Sequence, residues 1–375
     1  MVDAARVRGT LLRLLNMDTP SGREGIAADF LEGELRGMGF LTWRDDAGEV
    51  LGGDTGNLLA RLEGTAPHAP PLLLNAHMDT VVSTAGLVIR EEDGILRASA
   101  ATLLGVDDKC GVTAILEGVR AALDEGFPRP TLEIAFTVCE ETGLWGAKRL
   151  DPGTLAARQA YAFDTGKPVG GIVVATPSHN NLAFTVRGMA AHVGMAPERG
   201  ISAIRIAADA ILRMPLGRID EETTANIGVI EGGTADNIVP DRVECRGEAR
   251  SHSEEKVERQ TRAMVDAFQA AAQAAGGRVE ARVERLYTRF SVERGHPLVR
   301  RAVEAGRRAG IADPVIRAAG GGSDANVLNL RGLPTVVVGL GYENLFGADE
   351  RVALADVTQA SRIVAELLRL AGMGQ

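Results

Sequence analysis

The sequence predicts an α/β sheet domain with helices on both faces, interrupted by an inserted α+β module of ferredoxin-like order. Three observations carry this. Between residues 55 and 178 short apolar strands alternate with helical stretches. Near 180 the order becomes β-α-β-β-α-β, with strands of alternating character. After about 291 the first pattern returns. One layered domain is expected over 1–179 and 291–375, and a second over 180–290.

The elements follow in order. NLLARLEG, PLLLNAHMDTV, TLEIAFTVCE, QAYAFDT and GIVVATP read as strands whose near-continuous apolar runs suit burial on both faces. LVIREEDGILRA, residues 87–98, reads as a hairpin turning at Asp-Gly. GVTAILEGVRAALDEG is an amphipathic helix. In the inserted part, LAFTVRG is a strand and ISAIRIAADAILRM a helix. TANIGVIEGG and RVECRGEARS are strands. A long helix then opens at Ser253 with Glu254 and Glu255 in its first turn, and RVEARVERLY closes the module as a strand. LVRRAVEAGRRAG (helix), PVIRAA (strand), GGGSDANVLNL (loop into helix), PTVVVGLG (strand) and a last helix over roughly 352–372 complete the chain.

At 375 residues the chain exceeds what one core usually supports. Aromatics are only 4%, so the cores must rely on Leu, Val, Ile and Ala. The net charge of −9, without a basic block, speaks against nucleic acid as a partner. No apolar stretch is long enough for a membrane span, so no membrane partner is expected. Cys110, Cys139 and Cys245 match no disulfide or zinc-knuckle spacing; they read as buried, reduced thiols of a cytoplasmic protein.

Four short motifs carry acids or histidine at predicted strand ends. In Asn75-Ala76-His77-Met78-Asp79, residues two apart share a side, so His77 can ligate a metal while Asp79 orients its ring. A satisfied His–Asp pair is the bland alternative. In Val106-Asp107-Asp108-Lys109 either acid can simply cap the following helix; as a ligand, Asp107 stands nearer the strand side. Glu140 and Glu141 follow a buried strand, where paired carboxylates are costly unless neutralised. One can bind metal while the other faces a water as general base. Asp164 ends the next strand and alone is an ordinary loop acid. Together the four fall at strand ends of one α/β sheet, where ligand sites lie. One histidine with several carboxylates suits zinc, cobalt or manganese.

These residues resemble the co-catalytic zinc peptidase family of peptidase T, glutamate carboxypeptidase and acetylornithine deacetylase, most closely its peptidase T-like branch. The resemblance spans nearly the whole chain. It implies a zinc-peptidase sheet domain with an inserted lid, one or two metal ions, and an amide bond of a small peptide or acyl-amino acid as the target. It implies His77, Asp107, Glu141 and Asp164 as metal ligands, with Asp107 as the bridge and Glu140 as general base. Asp79 would orient His77. From the lid, His192 of Gly188–Gly194 would stabilise the oxyanion, Asn237 would bind substrate and Arg250 would hold its carboxylate. Gly322, in the run Gly320 to Asp324, would let backbone approach the substrate. The lid also implies a homodimer.

The chain departs from the family at one place. The family closes its second metal site with a histidine in a context like Gly-Tyr-Glu-Asn-Ile-His; here Gly341-Tyr342-Glu343-Asn344-Leu345 leads to Phe346. No histidine follows His296, so no register shift supplies one. Glu343, Asp349 and Glu350 are the acids near that position. A peptidase T-like aminopeptidase is the leading expectation. A carboxypeptidase or N-acyl deacylase fits the same scaffold. Phe346 keeps open a homologue that binds peptides or amino acids without hydrolysis; Glu140 and Glu141 argue for chemistry.

Overall fold

A computed structural model describes residues 1–99 and 102–374. The chain divides into two units. The first comprises Met1–Ala175, Phe290–Ala319 and Ser323–Gln375; the second comprises Thr176–Arg289 and Gly320–Gly322.

The first unit begins with α1 (Ala4–Leu15), α2 (Gly25–Gly37), β1 (Leu41–Arg44), α3 (Ala47–Leu51), β2 (Leu58–Leu62) and β3 (Leu72–His77). The hairpin β4 (Ile89–Glu92) and β5 (Ile95–Ala98) follows. Its Asp93-Gly94 turn has φ of 52° and 74°, the two positive values such a tight hairpin requires. Then come α4 (Val106–Glu125), β6 (Leu132–Thr137), α5 (Trp145–Arg149), β7 (Ala160–Ala162) and β8 (Ile172–Thr176). The second unit holds β9 (Ser178–Arg187), α6 (Ala203–Arg213), β10 (Gly217–Arg218), β11 (Thr223–Gly232), β12 (Arg242–Ser251), α7 (Glu254–Ala275) and β13 (Arg278–Tyr287). The chain returns through β14 (Phe290–Ser291), α8 (Pro297–Arg308), β15 (Ile316–Ala318), α9 (Asp324–Leu330), β16 (Thr335–Val338), β17 (Arg351–Ala353) and α10 (Leu354–Gly372).

The large sheet runs β1-β2-β6-β3-β7-β16-β8-β14, with β15 beside β8. Its middle is parallel: β3 pairs with both β6 and β7, and β7 with β16. Side chains of β3 alternate as a pleated strand demands. Leu72, Leu74 and Ala76 enter the main core, while Leu73 enters a smaller core on the other face. Both faces are covered, which explains the unbroken apolar runs. Parallel pairing also sets the register that matters. His77 lies opposite Thr137 and Asn75 opposite Ala162, so β3, β6 and β7 end level on one rim.

The second unit is an antiparallel sheet, β10-β11-β12-β9-β13. α6 and α7 pack over Leu182, Phe184, Val186, Val243 and Cys245; Phe184 and Phe268 stack 3.9 Å apart. Ser253 caps α7 by accepting from the Lys256 N–H. The helix–strand order is the one the sequence predicts. Among the elements that periodicity did not reveal are α2, β1, α3, α5, β10, β14 and β17. No helix of the described residues is long and apolar enough to cross a membrane.

Candidate metal centre

The level rim places His77, Glu140, Glu141 and Asp164 beside the start of α4. Asp107 and Asp108 have non-helical backbone angles, so the regular turns of α4 begin after them and leave both carboxylates facing the rim. His77 is buried. Its Nε2 is 3.2 Å from Asp107 Oδ1 and 3.8 Å from Asp164 Oδ1. Its Nδ1 lies 3.0 Å from the Asp79 carbonyl oxygen and 3.3 Å from Asp79 Oδ1. Two acceptors at Nδ1 hold a ring proton there, and Nε2 faces carboxylate oxygens.

A positive charge belongs at that contact, as a proton on Nε2 or as a metal cation in its place. Three further observations point the same way. Ligand atoms of His77, Asp107 and Glu141 all lie within 4.8 Å of one another, as do those of His77, Asp108 and Asp164. Glu141 Oε1 is buried with no hydrogen-bond partner. Burial, then the Asp107 charge, pushes the Glu141 carboxyl up to about 8. Burial, then Asp107 and Glu140, raises Asp164 well above its usual range. Burial opposes charging His77, yet its bonds to Asp107 and Asp79 and the charges of Glu140 and Asp164 raise its pKa well above normal. The residues fit a divalent cation, which would relieve all three. Asp108 is the poorer ligand of the adjacent pair, because its oxygens already accept the His77 N–H at 3.3 Å and the Gly111 N–H at 3.1 Å.

Asp79 does more than face His77. Its carboxylate accepts the Ser21 O–H at 2.6 Å and the N–H groups of Glu140 and Glu141 at 3.0 and 3.2 Å. It thereby pins the turn that aims both glutamates. Glu24, buried and unread in the sequence, pins the same turn by accepting the Cys139 N–H at 2.9 Å. Cys139 sits at φ 51°, and the Glu24 bond holds that conformation. Asp324, which closes the glycine run, accepts from Asn75 Nδ2 at 3.1 Å and from the Thr137 hydroxyl. Its other oxygen is buried without a partner. Burial, then the Asp324 and Glu141 charges, raises the Glu140 carboxyl well above normal, against the His77 charge.

The loop at Phe346 answers part of the sequence question. Phe346 is 51% exposed, at φ 59°. Of the acids near it, Glu343 is committed to Arg351 at 3.0 Å and to Lys167. Glu350 is buried and accepts the Gly105 N–H at 2.7 Å, with Leu104 and Phe346 N–H groups as further donors. Its charge reaches Asp107 and Glu141, but its oxygens are already occupied.

In the second unit His192 and Asn237 lie on adjoining loops. His192 bridges to Ile238, and Val193 N–H donates to the Asn237 carbonyl at 3.0 Å. Both side chains are exposed. Arg250 is already engaged: its Nε and Nη2 donate to Glu248, each at 2.9 Å, and Nη1 lies 3.4 Å from the Tyr287 hydroxyl. His179 Nε2 stands 3.3 Å from Glu248 without the alignment of a hydrogen bond. His179, then Arg250, holds the Glu248 carboxyl down at about 2 against partial burial. Gly322 has a packing reason: a Cβ there would meet the Tyr287 ring at 2.3 Å.

A buried imidazole among carboxylates, at the carboxyl ends of a parallel sheet, fits a divalent-metal centre. Residues 73–370 match Peptidase family M20/M25/M40, and the chain belongs to that family. It is 38% identical to an uncharacterized protein, YqjE, of Bacillus subtilis over 368 residues, 98% of this chain and 99% of that one. The crystal structure of aminopeptidase PepT from Bacillus cereus covers 99% of each chain at 37% identity, with a TM-score of 0.88. That of a tripeptidase from Staphylococcus aureus covers 100% of both at 35% identity, with a TM-score of 0.94.

Proposed function

We propose that the chain is a zinc-dependent, peptidase T-like aminopeptidase acting on small peptides. The observation that carries this is Nε2 of His77 facing carboxylate oxygens of Asp107 and Asp164, with Glu141 Oε1 buried and unpartnered beside it. The aminopeptidase and tripeptidase named above support the substrate class. His77, Asp107, Glu141 and Asp164 would hold the ion. An ion of this kind polarises a carbonyl and lowers the pKa of water from about 15.7 towards 7. Only one imidazole serves this set, so it would hold one ion tightly; a second would rest on carboxylates alone, because Phe346 offers no donor.

Glu140 is the general base. Water adds to the scissile carbonyl carbon as Glu140 takes its proton. The C–N bond then breaks as Glu140 passes that proton to the leaving amine nitrogen. With the ion bound, Asp79 would hold the ring proton on His77 Nδ1 and leave Nε2 to the metal, and it keeps Glu140 aimed. The second unit is the lid: His192 meets the developing oxyanion, Asn237 and Gly322 line the substrate, and Arg250 receives a carboxylate once it leaves Glu248. A carboxypeptidase or deacylase would use the same fork. Glu140 favours hydrolysis over mere binding, since a binder has no use for a base. Three cysteines without a disulfide support a cytoplasmic setting. The lid also associates two copies of the chain.

Glu140→Gln tests the reading. Peptide turnover should fall by about 10²–10⁴ with zinc still bound. Turnover within a few-fold of wild type would sink it.

A further inference from the structure

We infer that the cleft between α1, α2 and α4 is a second binding site, built from residues that take no part in the metal centre. Its ligand is a small molecule carrying a phosphate or carboxylate group, and the guanidinium groups of Arg13 and Arg120 hold that oxyanion.

The shape comes first. The cleft has a volume of about 300 Å³, at the lower end of the size of small-molecule sites. Each helix presents to it residues three, four or seven apart, which share one helical face. These are Arg6, Thr10 and Arg13 of α1, Phe30 and Glu34 of α2, and Glu117 and Arg120 of α4. Gly9 of α1 completes the wall. A Cβ there would meet nothing within 4 Å, so no neighbour requires a glycine at this position. Glycine is a poor helix former, and its effect here is to keep the cleft open.

Charge comes second. The lining holds three arginines and two carboxylates. Glu117 is buried, and both its oxygens are taken: Oε2 by Arg6 Nε and Oε1 by the Thr10 hydroxyl, each at 2.7 Å. Glu34 accepts from Arg120 Nη2 at 2.5 Å. Each carboxylate thus has its own arginine, and Arg13 is left without one. Its guanidinium lies over the Phe30 ring, 4.0 Å from the centre, and donates to no acceptor among the described residues. Stacking leaves the in-plane N–H groups of a guanidinium free. One more acid, Asp124, meets Arg6 at 3.5 Å, but it is exposed and lies outside the lining.

Arg120 is unsaturated as well. Its Nε stands 3.8 Å from Glu117 Oε2, beyond a hydrogen bond, and its Nη1 has no acceptor among the described residues. The cleft therefore carries one net positive charge and two guanidinium groups with spare donors. That chemistry selects the ligand. An oxyanion accepts from two N–H groups of one arginine at once, in a charge-assisted pair. A cation would face Arg13 with no carboxylate left to receive it, and an apolar ligand would strand the donors.

The test is titration calorimetry of the zinc-loaded full chain with inorganic phosphate and, separately, with succinate, at constant ionic strength. At least one of the two should bind saturably, and the comparison tells which oxyanion the cleft takes. Arg13→Gln and Arg120→Gln should each weaken that binding on the order of tenfold. Gly9→Leu keeps every charge but fills the cleft, and should weaken it by about as much or more. That change puts a better helix former into α1, so folding should survive, as circular dichroism would show. An oxyanion bound at the zinc ion, or attracted by charge alone, would be indifferent to Gly9→Leu. Binding of neither probe, or binding that Gly9→Leu or both arginine variants leave unchanged, would overturn the proposal. Turnover is not read, so the result does not bear on the peptidase reading.

Discussion

Replacing Asp79 by alanine tests how the site is held. The Asp79 carboxylate is fully buried and accepts three hydrogen bonds, from Ser21 at 2.6 Å, Glu140 at 3.0 Å and Glu141 at 3.2 Å. A hydrogen bond to a charged group contributes about 1.5–3 kcal/mol, and a stranded buried donor costs about 1–3 kcal/mol. Some relaxation and water entry will recover part of this, so the net loss of stability should be about 3–5 kcal/mol. Asp79 also faces His77 Nδ1 at 3.3 Å, and removing such a partner weakens metal affinity by about 10–100-fold. Urea unfolding of the metal-free protein reads the first effect, and competition with a zinc chelator reads the second. Unfolding unchanged within 1 kcal/mol, roughly the worth of one ordinary hydrogen bond, would refute the clamp. Zinc affinity unchanged in a folded variant would refute the orienting role.

Two further outcomes follow from the structure. The Glu248 carboxyl is held down at about 2, below an unfolded value of about 4.3, chiefly by His179 and Arg250. Its contribution is thus fully present above the unfolded value and is lost as pH falls through about 2. Glu248→Gln should be less stable than wild type at pH 6, with the gap closing towards pH 2; a gap independent of pH would count against the ion cluster. Phe346→His should raise the zinc retained through dialysis above the wild-type count, since that side chain is half exposed and free of core packing. An unchanged count would show that position 346 does not reach the site.

The legible part of the site is what the strands impose. Unbroken apolar runs mark β3, β6 and β7 as buried parallel strands, and their ends name His77, Glu140, Glu141 and Asp164 before any contact is seen. Asp107 is preferred over Asp108 in the sequence for its place nearer the strand side; that backbone N–H groups already occupy the Asp108 oxygens is a second reason that only the structure carries. Glu24 and Asp324 were not legible at all. Their partners lie 115 and 187 residues away, at Cys139 and Thr137, and no local period records such a contact. Arg250 is the intermediate case. Glu248 two residues earlier on a strand must share its face, so the occupied fork was implicit in the period-two rule.

Hydrolysis as proposed requires a tightly held ion on His77 and its carboxylates. The most direct measurement is metal content by plasma mass spectrometry, after loading with zinc and dialysis into zinc-free buffer. Wild type should retain one zinc per chain, and His77→Ala of intact fold none. A wild type that emerges empty, or a His77→Ala chain that keeps its zinc, would contradict it.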